Sequence, residues 1–397
     1  MSAGGRAGHA GAAGLWRRVH RYAWACPPPW TAVRRAVAPL GAALPGPLLV
    51  LGTGGWSFAV DALGSDRVRA LDSLDPWTLA HTRAPASRLA VSSSGATVET
   101  RALAEAFPPT RWLCGRQLSP RGADDQVALF GAPLSTAFLA PAALADPAGL
   151  RDAYRQLRAG HRGTGLAAAE LAAGVTGPDI TIAPPAWATE GLRLWLLQLG
   201  RQVLCGKSDR FRPHVTLVGP DTRATPGTPA PPAGPDVPAT LDLRAARPGL
   251  AGLMELMYRA GMFAACLAVR HGVAPAEHRN VTAYKRLLGR RGPAYRTADL
   301  AGFVAGWLAD RPRLRRLHVV RYGGQPAPLP DPATLGAADR PVEVHRGSAW
   351  NHHSFQAVYA DPGTAVVVLA ATPDGLLRDI AEATRLALGD RAVLVEV

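Results

Sequence analysis

Lysine is almost missing from this chain: it stands only at 207 and 285, while Lys and Arg together number 44 against 30 acidic residues. The net charge of +14 is therefore carried by arginine. Its clusters are short (Arg34-Arg35, Arg290-Arg291 and Arg311 to Arg316), and none is interleaved with aromatic residues. That argues against a nucleic-acid-binding protein and for a chain with an Ala/Arg bias that attracts anionic metabolites. Cysteine is equally sparse. Cys26, Cys114, Cys205 and Cys266 are far apart and match no zinc or redox spacing, as expected of reduced thiols in a cytoplasmic protein. Aromatic residues make up 6% of a chain that is 48% hydrophobic, so the cores must be built from small side chains. Long uninterrupted apolar runs are also lacking. The stretch from Ala36 to Gly52 is broken by Pro39, Pro45 and Pro47, which makes it a poor membrane span and predicts no membrane association.

What is present alternates. Leu89-Ala90-Val91 reads as the end of a buried strand, Ser92 to Thr97 as a hydroxyl-rich loop, and Val98 to Phe107 as a helix. The hydroxyls of Ser92, Ser94 and Thr97, with the leading N–H groups of the helix, suit a phosphate monoester. The plainer alternative is a Ser-rich loop with Thr97 as an N-cap. Upstream, an apolar strand runs from Pro47 into the turn Gly52-Thr53-Gly54-Gly55-Trp56-Ser57. That turn lacks the later glycine of a dinucleotide fingerprint. Strands follow at 68–71, 111–114, 179–183, 214–218, 365–370 and 392–397, with helices at 189–204, 250–271, 281–288 and 375–388. The fold class expected is α/β, with doubly wound parallel sheets. Residues 1–47 read as a helical arm, disordered over its Gly/Ala-rich first fourteen residues. Residues 221–240 read as a mobile Pro/Gly-rich loop.

Several stretches, in order, resemble glucose-6-phosphate isomerase, in its short bacterial form and in the isomerase half of transaldolase–isomerase proteins. Ser92 to Thr97 is similar to the family's S-K-T-F-T-T phosphate loop, and Gly52 to Ser57 to its G-x-G-G-S turn. The segment from Phe130 to Ser135 resembles G-G-R-F-S. Trp195 to Lys207 resembles W-x-x-Q-L-x-x-E-S-x-G-K, and Val273 to Lys285 resembles N-P-F-D-Q-P-G-V-E-A-Y-K. The likeness covers roughly residues 48 to 290 and is loose beyond.

The resemblance implies two sugar-isomerase (SIS) domains in three αβα layers, at 48–160 and 161–397. It implies a sugar-phosphate ligand, no cofactor or metal, and sites completed across a homodimer. The substrate-binding residues it implies are Gly54, Gly55, Ser57, Ser92, Ser94 and Thr97. The candidate chemical residues are Lys285, His278 and Gln202. The family's chemistry moves a proton between carbons through an enediol, which needs a carboxylate base. Here that position reads Gln202, or Val203 in the neighbouring register. The family's Arg falls on Pro133, and its ring-opening His falls near Arg244. Only the Lys persists, as Lys285. Loss of a general base alone costs ~100- to 10,000-fold. Two readings follow: an aldose–ketose isomerase with a rebuilt site, and a silent sugar-phosphate-binding protein. The pair His352-His353 is conspicuous but has no third ligand at metal-binding spacing.

Overall fold

The computed structural model describes residues 3–108, 110–120, 129–205, 213–218, 239–274, 283–335, 337 and 340–397. The first half runs α1 (Ala3–Val19), α2 (Trp30–Ala43), β1 (Leu48–Leu51), α3 (Gly55–Asp61), β2 (Val68–Leu71), α4 (Pro76–His81), β3 (Ser87–Ser92), α5 (Val98–Ala106) and β4 (Arg111–Cys114). Then come α6 (Thr136–Ala145), α7 (Pro147–Gly174), β5 (Asp179–Ala183), α8 (Glu190–Leu204), β6 (His214–Leu217), β7 (Ala239–Asp242) and α9 (Leu250–Arg270). The chain ends with β8 (Tyr295–Arg296), α10 (Leu300–Ala309), β9 (Arg316–Tyr322), β10 (Val342–Arg346), α11 (Gly347–His353), α12 (Phe355–Ala360), β11 (Thr364–Ala370), α13 (Gly375–Leu388) and β12 (Ala392–Glu396). Every pairing between these strands is parallel, so the fold is α/β as expected.

Two compact units form, Met1–Leu71 with Ala84–Glu277, and Asp72–Arg83 with His278–Val397. The boundary expected at 160 does not hold, because α7 runs unbroken from Pro147 to Gly174 across it. The first unit carries a four-stranded sheet, order β2-β1-β3-β4, and a three-stranded sheet, order β6-β5-β7. In the same unit α7 packs on α9. Among the described residues α9 alone is long and apolar enough to cross a membrane, and 89% of its apolar window is buried in this unit. Small residues let the helices close up: Ala168, Ala169 and Ala172 of α7 are all fully buried.

The N-terminal arm is helical from Ala3, and from Ala12 onward its side chains are built into this unit. Ala12, Leu15, Trp16 and Val19 are buried. Gly165 of α7 makes room for the Trp16 ring, since a Cβ there would lie 2.0 Å from its Cζ3. Two buried hydroxyls tie down the connection to α2. Tyr258 donates to the Ala25 carbonyl at 2.7 Å, and Tyr154 to that of Pro28 at 2.7 Å. The loop expected at 221–240 lies outside the described residues except for its last two, which begin β7.

The second unit holds a five-stranded sheet, order β10-β9-β11-β12-β8. Alternation divides its faces. Leu317, Val319, Val367, Val393 and Val395 pack with Val304 and Leu308 of α10. On the other face Tyr322 donates to Asn351 Oδ1 of α11 at 2.5 Å, and Asn351 Nδ2 donates to Thr384 of α13 at 2.7 Å. Gly347 opens α11 because a Cβ would sit 2.7 Å from the Tyr322 ring.

Candidate functional site

In the four-stranded sheet the chain passes from β1 outward to β2, then returns across β1 to β3 and on to β4. The direction of winding therefore reverses between β1 and β3. The region beyond the carboxyl ends of those two strands, where the winding reverses, is the usual ligand position in such sheets. The two loops at that point are the glycine turn after β1 and the Ser/Thr loop after β3.

The glycine turn is held from within. Gly54 takes φ +73°, a left-handed conformation suited to glycine, and its carbonyl accepts the Ser57 hydroxyl at 2.7 Å. Ser57 is buried, so this hydroxyl closes the turn. Gly52 passes close to β3, where a Cβ would meet the Val91 carbonyl oxygen at 3.1 Å. Trp56, in the first turn of α3, donates its indole N–H to Ser93 Oγ at 3.2 Å and joins the two loops.

The Ser/Thr loop is preformed. Ser92, 2% exposed, accepts the Gly95 N–H on its Oγ at 3.1 Å, and that Oγ lies 2.9 Å from Thr97 Oγ1. Ser94 Oγ is exposed and accepts the Ala96 N–H at 3.1 Å. Gly95 takes φ +67°. Thr97 occupies the N-cap position of α5 but makes no side-chain cap bond, because its hydroxyl is turned toward Ser92. The first turn of α5 is thus left without the usual side-chain acceptor, a condition in which leading N–H groups attract an anion. Arg101 adds positive charge beside the loop and donates to the Gly95 carbonyl at 3.3 Å.

Gln202 lies on α8 in the same unit. Its Oε1 accepts from Gln198 Nε2 at 2.5 Å, one helical turn away. Next to it the Arg201 guanidinium is buried against the Val215 carbonyl, with Nε at 3.1 Å and Nη2 at 3.0 Å. Pro133 stands in a 3-10 turn, Leu129–Leu134. Arg244 is half exposed and paired with Asp242 at 2.7 Å; this guanidinium holds the Asp242 carboxyl below its ordinary range. Lys285 belongs to the second unit, in the 3-10 turn Tyr284–Leu287, with its Nζ 5.8 Å from the centre of the Tyr284 ring. His278 lies outside the described residues, as do Lys207 and Glu277. The structure thus sets the loops that carry Gly54, Gly55, Ser57, Ser92, Ser94 and Thr97 at the carboxyl ends of the neighbouring strands β1 and β3, and places Lys285 in the other unit.

One titratable cluster has no signature along the chain. His318, Glu343 and His345 each offer a ligand atom within 4.8 Å of the others. They sit on two neighbouring strands, and no sequence spacing announces them.

The chain is an α/β protein with parallel sheets and a preformed hydroxyl loop at a strand-order reversal. No protein-family model matches it, and no curated protein sequence matches it. Among solved structures it is similar to a candidate phosphosugar isomerase from Silicibacter pomeroyi DSS-3, with 15% identity and a TM-score of 0.36 over 68% of this chain and 99% of that one. A superposition of that quality carries no argument about this chain's reaction.

Proposed function

We propose that the chain binds a sugar phosphate beyond the carboxyl ends of β1 and β3, with its phosphate on the Ser92–Thr97 loop and the start of α5. The observation that carries this reading is the coincidence of the glycine turn and the Ser/Thr loop at the strand-order reversal. The leading N–H groups of α5 and the nearby Arg101 favour a phosphate monoester, against the one carboxyl of Glu99 in the same turn. The resemblance to glucose-6-phosphate isomerase supports an aldose–ketose isomerase with an altered site. Gln202 favours a second reading, a binder without turnover. An amide accepts no proton at neutral pH, and this one is bonded to Gln198.

A thermal-shift screen against hexose and pentose phosphates, with the unphosphorylated sugars as controls, tests the ligand class. A rise in melting temperature with the phosphates alone is expected; no shift with any of them refutes the reading. Any hit then enters an assay of fructose 6-phosphate conversion to glucose 6-phosphate. Turnover near ~10 per second, usual for metabolic enzymes, would refute the silent binder.

A further inference from the structure

Three histidines and a glutamate gather on one face of the second unit's sheet. Alternation puts His318 of β9 on the face that Tyr322 presents to α11 and α13. β10 runs parallel to β9 with Glu343 opposite His318 and His345 opposite Val320, so both side chains share that face. His345 Nε2 lies 2.9 Å from Glu343 Oε2, and His318 Nε2 lies 3.9 Å from Glu343 Oε1. The ring of His353, from α11, has its centre 5.0 Å from that of His345. His318 and His353 are buried, and the sugar-phosphate reading uses none of these groups. Polar groups held in a sheet–helix interface need compensation.

We propose that His318, Glu343 and His345 bind a borderline divalent cation, of the Zn²⁺ or Co²⁺ type, through two imidazole nitrogens and one carboxylate oxygen. That donor set suits such ions rather than Mg²⁺ or Ca²⁺. A tetrahedral ion with bonds of about 2.0–2.1 Å separates its ligand atoms by about 3.3–3.4 Å. His345 Nε2 stands 2.9 Å from Glu343 Oε2 and His318 Nε2 stands 3.9 Å from Glu343 Oε1, so the carboxylate turns to bring one oxygen between two nitrogens that lie with it inside a 4.8 Å cluster. Access comes from the edge: β10 ends the sheet, and the Glu343 side chain is 33% exposed. That side leaves a position for water or another ligand.

Trp350 sets the tautomer. Its indole N–H donates to His318 Nδ1 at 3.1 Å, which leaves the His318 proton on Nε2, facing Glu343. An ion that takes Nε2 displaces this proton. The proton moves to Nδ1, and the Trp350 bond opens to admit it. Trp350 therefore opposes the ion.

Zn²⁺ and Co²⁺ are titrated by calorimetry into the full chain after chelator treatment, and visible absorption of the Co²⁺ form reports its ligands. One equivalent is expected to bind. His345→Ala and Glu343→Gln, both on the part-exposed edge strand, should each weaken binding ~10-fold or more. His352→Ala should leave the affinity unchanged. Trp350→Phe should strengthen binding by about ten-fold, the worth of one hydrogen bond. Circular dichroism on each variant separates loss of the site from loss of the fold. No saturable binding by the wild type, or binding that survives both His345→Ala and Glu343→Gln, overturns the proposal. Unchanged affinity in folded Trp350→Phe overturns the role given to its N–H. Sugar-phosphate binding is measured in parallel and should be unaffected by these variants, so the two readings fail separately.

Discussion

Ser92→Ala tests the candidate site at a buried hydroxyl of the Ser/Thr loop. Two bonds go with that oxygen, from the Gly95 N–H at 3.1 Å and with Thr97 Oγ1 at 2.9 Å. At ~0.5–1.5 kcal/mol each the loss is ~1–3 kcal/mol. The lower half of that range is expected, because the Gly95 N–H also reaches the Ser92 carbonyl at 3.3 Å. In a protein of this size ~1 kcal/mol moves the melting temperature by ~1–2 °C. Binding should suffer more. With Ser92 gone, the Thr97 hydroxyl loses its orientation, and each charge-assisted bond to a phosphate is worth ~1.5–3 kcal/mol, or ~10- to 100-fold in affinity. Ser94→Ala removes an exposed hydroxyl and should cost affinity with little stability. Thr97→Ser keeps its hydroxyl and should change neither greatly. Differential scanning fluorimetry measures the first quantity, and calorimetry with fructose 6-phosphate and with inorganic phosphate measures the second. If Ser92→Ala melts lower while it and Ser94→Ala bind the sugar phosphate as the wild type does, the loop is structural only and the phosphate assignment fails.

Gly165→Ala drives a methyl group into Trp16, whose ring would lie 2.0 Å from the new carbon, and should destabilise by ~1–3 kcal/mol in urea. Adding Trp16→Leu should recover part of that loss; no recovery would mean the two residues do not share the packing. Isomerase activity of the wild type should be very weak, and Gln202→Glu should restore it only in part, since Pro133 and Arg244 still lack the family's groups; a Gln202→Glu enzyme as fast as typical metabolic isomerases would contradict this. Burial pushes the Cys266 thiol up to about 12. A thiol held protonated in the fold lends stability that is complete below the ordinary thiol value of ~8.5 and is lost as pH rises from there toward about 12. Urea midpoints followed over that interval should therefore fall, and fall less steeply in Cys266→Ala. Tyr258, also pushed up chiefly by burial, keeps its own contribution in the variant, so the slope should not vanish. Equal slopes in the two proteins would refute the role of Cys266.

Local signals in the chain determine a good deal by themselves. Apolar runs bounded by Gly, Ser or Asp mark β1, β3, β11 and β12, because a strand buried on both faces must be continuously apolar, while β5 is marked by the alternation of Asp179-Ile180-Thr181-Ile182. Thr189 before an amphipathic run marks the start of α8, where its hydroxyl does accept the Leu192 N–H at 3.1 Å. The hydroxyls and glycines of the candidate site are visible for the same reason: loop chemistry is written in adjacent residues. Other elements are hidden by composition. The inner face of α7 carries Leu150, Tyr154 and Leu157 in its first half but only Gly165, Ala168, Ala169 and Ala172 in its second, too small to stand out as a hydrophobic stripe, so the periodic signal fades and the expected boundary at 160 falls inside the helix. β9 is hidden because His318 interrupts its apolar pattern.

Tertiary structure alone decided the strand order. That order rests on pairings between residues far apart in the chain, as when Leu48 lies between Val68 and Ser87. Neighbouring residues carry no record of such pairings, because the stabilisation comes only once distant apolar faces are buried together. The reversal that sets the glycine turn beside the Ser/Thr loop is one consequence. The register that sets Glu343 against His318 is another.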